Sequence, residues 1–131
     1  LTTVEFFRQV RDHLTADGVV AINVGRTAED YRLVEAMVAT LLEIFPSAHV
    51  IEVPDSLNAV LVATVQPTEA GNLLANLPGL EGDEFLYPTA LNAAAHLHPT
   101  QPSGVVFTDD RAAIELMTNA LVFDFVLKGE Y

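Results

Sequence analysis

Apolar positions along this chain change period several times, and each change marks an element. Phe6, Phe7, Val10 and Leu14 recur near the helical repeat, so residues 3–14 read as an amphipathic helix. Thr2 and Thr3 are N-cap candidates, and Glu5, three positions after Thr2, makes a capping-box pattern. Ala16, Asp17 and Gly18 turn the chain. The next run, residues 19–24, is short, continuous and rich in β-branched side chains, the pattern of a strand covered on both faces. Residues 28–45 form the longest periodic segment, with Leu33, Val34, Met37, Val38, Leu41, Leu42 and Phe45 on one broad apolar face and Pro46 closing it. Two further strands follow at residues 49–53 and 59–65, divided by Pro54 and Asp55. They lie too close for a parallel return, which needs a crossover of about a dozen residues, so they should pair antiparallel.

After Pro67 the pattern changes. Residues 68–77 read as a short capped helix, 78–83 as turns, and the alanine-rich 84–97 as a helix in which Pro88 marks an early turn or a break. Residues 98–103 carry two prolines and read as a loop, and 105–107 as a short strand or extended segment. Thr108, Asp109 and Asp110 can cap a helix over 111–118, and a last apolar stretch covers 121–127.

With 131 residues, 50% of them hydrophobic, the whole chain 1–131 is expected to be one domain with one core. Residues 1–66 would carry the sheet and its helices, and 67–131 a mostly helical extension. Acidic residues outnumber basic ones 18 to 6, for a net charge of -12. That balance argues against nucleic acid, whose phosphates are held by clustered Lys and Arg, and against an anionic membrane surface. It serves solubility, and it also suits a small cationic ligand such as a polyamine. The absence of cysteine excludes disulfides, thiolate metal sites and a cysteine nucleophile, and fits a cytoplasmic protein. No window approaches the roughly 18 apolar residues of a membrane span and no signal-like segment opens the chain, so direct membrane insertion is not expected. Because Leu1 stands first, the chain is expected to derive from something longer or to be processed.

The stretch GVVAINVGR, residues 18–26, has the strand–glycine–helix layout of a nucleotide site. A dinucleotide fingerprint needs several glycines for close approach to a pyrophosphate, yet Gly25 stands alone, followed by Arg26 and Thr27. Gly25 therefore reads as easing a turn. If the stretch is functional, Asn23 or Arg26 carries it, since ligands of α/β sheets sit beyond strand carboxyl ends. His96 and His98 lack the third protein ligand a catalytic zinc requires, and read as surface or loop histidines, so no metal is expected. In TDDR, residues 108–111, the adjacent carboxylates point apart; a helix cap with Arg111 neutralising a neighbour is the reading. Ser47, Ser56 and Ser103 have no nucleophile-elbow context.

The segment LTTVEFFRQVRDHLTADGVVAINV resembles the spermidine synthase family, specifically bacterial spermidine synthase-like proteins related to transporter-fused members. Thr3, Glu5, Phe6, Phe7, Leu14 and Gly18 carry the match, FPSAHVIEVPDSLNAVLVAT (residues 45–64) looks like the family's last strand pair, and TDDRAAIELMT is similar to the tail of the fused subgroup. The resemblance spans about residues 1–118. It implies an α/β class, the C-terminal part of a Rossmann-like methyltransferase sheet of seven strands, with strands five to seven present here and the last antiparallel. It further implies an aminopropyl- or methyltransferase parent, active with decarboxylated S-adenosylmethionine or S-adenosylmethionine, which in the fused subgroup would be tethered to a membrane. The family's cofactor loop, ribose-binding acid and Asp-rich catalytic loop lie upstream of the match. This chain is therefore expected to bind no cofactor, to hold no catalytic residue and to be inactive alone. Asn23, where the family often has glutamine, together with Arg26, Asp55 and Asn58, would form part of the substrate wall. The aromatic that faces the polyamine in the family has no counterpart among residues 54–58, which argues against putrescine as acceptor.

A reading from a different class is a non-catalytic interaction or oligomerisation domain. A partial sheet exposes an edge and an apolar patch that a second copy, or the remainder of a parent, can cover.

Overall fold

The computed structural model describes residues 2–111 and 114–128. They form a mixed α/β fold of five α-helices and a four-stranded antiparallel sheet. Helix α1 (Val4–Asp12) is capped by Thr3, whose Oγ1 accepts the Phe6 N–H at 3.3 Å and donates to the Asp109 carboxylate at 2.6 Å. The expected Thr2–Glu5 capping box does not close. The Glu5 carboxylate instead accepts the Asp109 N–H at 3.0 Å, so α1 is tied at its start to a segment a hundred residues away.

Strand β1 (Val19–Gly25), helix α2 (Arg32–Leu42), strand β2 (Ser47–Glu52) and strand β3 (Asn58–Thr64) follow. In the sheet, β3 lies between β1 and β2 and runs antiparallel to both. Consequently β1 and β2 run in the same direction, joined through α2, with β3 inserted between them: a split βαβ unit. The tight β2–β3 connection turns at Asp55, whose φ of 53° lies in the left-handed region that Asp tolerates.

Strand alternation gives the sheet two unequal faces. Val24, Ala48, Val50, Ala59, Leu61 and Ala63 are buried against α2 (Val34, Met37, Val38, Leu41) and against Phe7 of α1. On the other face of β1, Val19, Ala21 and Asn23 are exposed, so β1 is not covered on both faces as its apolar run suggested. Helix α2 also starts four residues later than its periodicity implied. Thr27 Oγ1 accepts the N–H groups of Glu29 and Asp30 at 3.4 and 3.0 Å, and the Asp30 carboxylate accepts the Arg32 N–H at 3.1 Å. These local bonds offer the backbone an alternative to the helix.

The remaining elements are α3 (Ala70–Asn76), a 3-10 turn (Leu77–Leu80), α4 (Leu86–Ala95), strand β4 (Leu97–His98) and α5 (Ile114–Lys128). Pro88 sits in the first turn of α4, where no N–H is needed, so it marks an early turn and not a break. Residues 97 and 98, placed by their pattern in a helix and a loop, instead form β4 and pair with Ile51 and Val50 of β2. Residues 105–107 form no strand, but the segment buries Phe107 completely. Its N–H donates to Thr40 Oγ1 at 2.9 Å and its carbonyl accepts the Val4 N–H at 2.8 Å. Residues 114–118 and 121–127 belong to one helix, α5, while residues 112 and 113 lie outside the described residues. Asp109 and Asp110 form a turn ahead of them, closed by the Arg111 N–H donating to the Thr108 carbonyl at 2.9 Å, and Arg111 itself is not helical. Within TDDR, Asp109 serves α1, as above. No other strand among the described residues pairs with the outer edge of β1.

Candidate functional site

The carboxyl ends of β1 and β2 lie at one end of the sheet, and a polar cluster is built there. Glu52, the last residue of β2, shares the face of Val50, and Arg26 follows β1 on the corresponding face. Strand β4 places His98 opposite Val50, again on that face. The turn before α2 supplies Tyr31.

The Glu52 carboxylate is the hub. Tyr31 donates its hydroxyl to Oε1, His98 Nδ1 lies 2.8 Å from the same oxygen, and Arg26 Nη2 stands 3.9 Å from Oε2. The Tyr31 and His98 rings stack, with centroids 4.6 Å apart and planes 10° from parallel. The Arg26 guanidinium lies 5.3 Å from the centre of the Tyr31 ring, a cation–π contact. The Tyr31 hydroxyl above all, then Arg26 and His98, hold the Glu52 carboxyl below the usual carboxylate range, against the opposing effect of burial. Burial first, and the bond to Glu52 second, push the Tyr31 hydroxyl up. The pair is thus fixed as carboxylate acceptor and phenol donor.

Arg26 is 8% exposed; besides the Tyr31 ring, its guanidinium meets the Thr27 carbonyl through Nη1 (3.3 Å) and, at longer range, Glu52. Its buried Nε has no hydrogen-bond partner among the described residues. A buried charged donor left unpaired is costly, and such groups mark places where a ligand completes the set. Beside the cluster a cleft of about 480 Å³ opens between the loop before α2, His98 and the end of α5. Its wall includes an Asp30–Arg32–Asp124 ion-pair chain, with Arg32 Nη2 3.0 Å from Asp124.

The four residues expected to form a substrate wall all lie at this end of the sheet, but not together. Arg26 belongs to the cluster. Asn23 and Asn58 lie on the opposite face, as diagonal neighbours across β1 and β3, with Asn58 opposite Gly25. Asp55 is exposed at the β2–β3 turn. Gly25 itself is not demanded by the turn: a Cβ there would meet only the Leu57 carbonyl, at 4.0 Å, and its φ is not positive. Tyr31, Glu52 and His98 are the residues that sequence reasoning missed. His98, read as a surface or loop histidine, enters the cluster through a two-residue strand that carries no periodic signal.

No group of three or more His, Cys, Asp or Glu side chains among the described residues is arranged to hold a metal ion. No helix among the described residues is long and apolar enough to cross a membrane. Comparisons with protein-family models, curated proteins and solved structures returned no match.

Proposed function

We propose that this chain is the C-terminal part of a spermidine synthase-like aminopropyl- or methyltransferase of cytoplasmic location, inactive alone. The observation that carries the reading is the split unit β1–α2–β2 with antiparallel β3 between its strands. It is the arrangement that strands five to seven of a Rossmann-like methyltransferase sheet, with an antiparallel final strand, call for. The open outer edge of β1 supports it as well, because an upstream strand would pair there. In this reading the parent supplies the nucleoside sulfonium donor site and the catalytic acid, and these strand ends line the acceptor side. Arg26 Nε offers a donor to a ligand oxygen, Asp55 faces solvent where an ammonium would arrive, and Asn23 and Asn58 bound the opposite face.

The coding sequence upstream of Leu1 tests this. A Gly-rich strand–loop and an Asp-rich loop in frame are expected; a start codon at Leu1 would sink the reading. The isolated chain, titrated calorimetrically with S-adenosylmethionine, its decarboxylated form and putrescine, should give no heat of binding. Micromolar affinity for either nucleoside would place the donor site in this chain, and micromolar affinity for putrescine would mean a complete acceptor site here; either result would contradict the proposal.

The free β1 edge, with Val19 54% exposed beside it, also favours the interaction reading, in which a second copy pairs there. A dimer that dissociates on substitution of Ala21 by proline would support that alternative.

A further inference from the structure

The sheet face opposite the Glu52 cluster holds a cavity of its own, unrelated to the transferase reading. Its volume is about 450 Å³, within the range of small-molecule sites. Ile51 and Val62 form its floor on the sheet, Leu73 of α3 and Ala93 of α4 form walls, and Leu97 of β4 closes one side. A hydrogen-bonded line of His49, Thr68 and Thr64 borders this largely apolar space, and Glu69, Asn72 and Asn76 line it too.

The hydrogen bonds of that line have only one consistent direction. Thr64 spends its single hydroxyl proton on the Gln66 carbonyl, at 2.7 Å. The 2.9 Å contact between Thr64 and Thr68 must then be donated by Thr68. Thr68 has no proton left for His49, so in their 2.8 Å bond His49 Nε2 is the donor and Thr68 Oγ1 the acceptor. Thr68 is held in place by its own N–H, which donates to Ser47 Oγ at 2.8 Å. A neutral imidazole with its proton on Nε2 carries a lone pair on Nδ1, and no group among the described residues donates to it. Burial holds the imidazole below its usual range and so favours the neutral form.

We propose that this cavity binds a small, uncharged, largely apolar molecule carrying one hydrogen-bond donor, which it presents to His49 Nδ1. The apolar walls penalise a charged ligand, since burying an unpaired charge is far costlier than burying a hydroxyl or an N–H. Among the described residues Glu69 is the one formally charged residue lining the cavity, and it repels carboxylates and phosphates. A bicyclic phenol or an indole has the required shape and chemistry.

Three probes differing at one position decide it: 2-naphthol, 2-methoxynaphthalene and 2-naphthoate, each titrated into the full chain and followed by amide and imidazole ¹⁵N shifts. 2-Naphthol should bind about three- to tenfold tighter than the methyl ether, the span a single neutral hydrogen bond supplies. 2-Naphthoate should bind weakest. Amide shifts should centre on Ile51, Val62 and Leu73, and the imidazole should report an Nε2-protonated ring before and after binding. His49→Phe should make naphthol and its ether equal. In the wild-type chain alone, equal affinity for the two, an Nδ1-protonated ring, or no shifts in this cavity would overturn the proposal.

Discussion

Tyr31 lies flat on the imidazole of His98, and both rings reach the same carboxylate oxygen of Glu52. The stack joins the loop before α2 to the two-residue strand β4, and the shared carboxylate of Glu52 holds both. It therefore fixes the shape of the cleft at the carboxyl ends of β1 and β2, and it predicts a distinct response to acid.

Glu52 is held below the ordinary carboxylate range in the folded chain, first by the Tyr31 hydroxyl. A lowered folded value means the unfolded chain binds more protons between the two values, so stability rises with pH there. The contribution is complete above the unfolded value of about 4.3 and disappears as pH falls through the folded one. Chemical denaturation should show Glu52→Gln to be less stable than wild type by about 1–2 kcal/mol at pH 7. That gap should close under acid; a gap constant from pH 7 to pH 2 would show that the carboxylate charge plays no part.

Arg26 should behave as a residue kept for function more than for stability. It is buried, its Nε is unpaired, and its carboxylate partner is 3.9 Å away and already bonded to Tyr31 and His98. Replacing such a cation by an isosteric apolar chain is often neutral or stabilising. Arg26→Met should leave the urea midpoint within the equivalent of about 1 kcal/mol of wild type. A loss of about 3 kcal/mol or more, the cost of breaking a well-made buried pair, would mean that Arg26 is structural.

Thr40 is fully buried, donates to the Ala36 carbonyl at 2.8 Å and accepts the Phe107 N–H at 2.9 Å. Thr40→Val keeps the volume but orphans a buried backbone donor, so it should destabilise the fold by about 1–3 kcal/mol. Thr40→Ser keeps the acceptor and should recover most of the hydrogen-bond contribution. Equal losses for both variants would assign the effect to packing.

Gly18, just before β1, and Gly25, its last residue, should respond in opposite ways to alanine. At Gly18 a Cβ would stand 2.7 Å from Leu14 Cβ and 3.0 Å from the Thr15 carbonyl, so Gly18→Ala should cost about 1–3 kcal/mol. At Gly25 the nearest atom would be 4.0 Å away, and Gly25→Ala should be nearly neutral. Thermal unfolding of the two variants in parallel distinguishes them, and a large loss at Gly25 would reopen its reading as a special turn residue.

Periodicity made the helices α1 and α2 and the strands β1 to β3 legible, because each is long enough for its apolar repeat to register. The tight spacing around Pro54 and Asp55 similarly announced the antiparallel β2–β3 pair. The errors cluster where specific hydrogen-bond partners, distant or local, override the apolar period. Glu5 bonds Asp109 instead of closing a capping box, and Thr27 unwinds the expected first turn of α2. Strand β4 exists through its pairing with Val50 and Ile51, which no two-residue pattern announces. The site shared that fate. Arg26 was legible from its place after a strand, whereas Glu52, Tyr31 and His98 are brought together only by the sheet.

The most direct test of the transferase reading is amine alkylation by the intact parent, assayed with labelled decarboxylated S-adenosylmethionine and S-adenosylmethionine against a panel of di- and polyamines. Label should pass to an amine from one of the two donors, and Arg26→Met should lower kcat/KM by about tenfold or more, the loss of one charge-assisted hydrogen bond. A folded parent that transfers label from neither donor to any amine would contradict it.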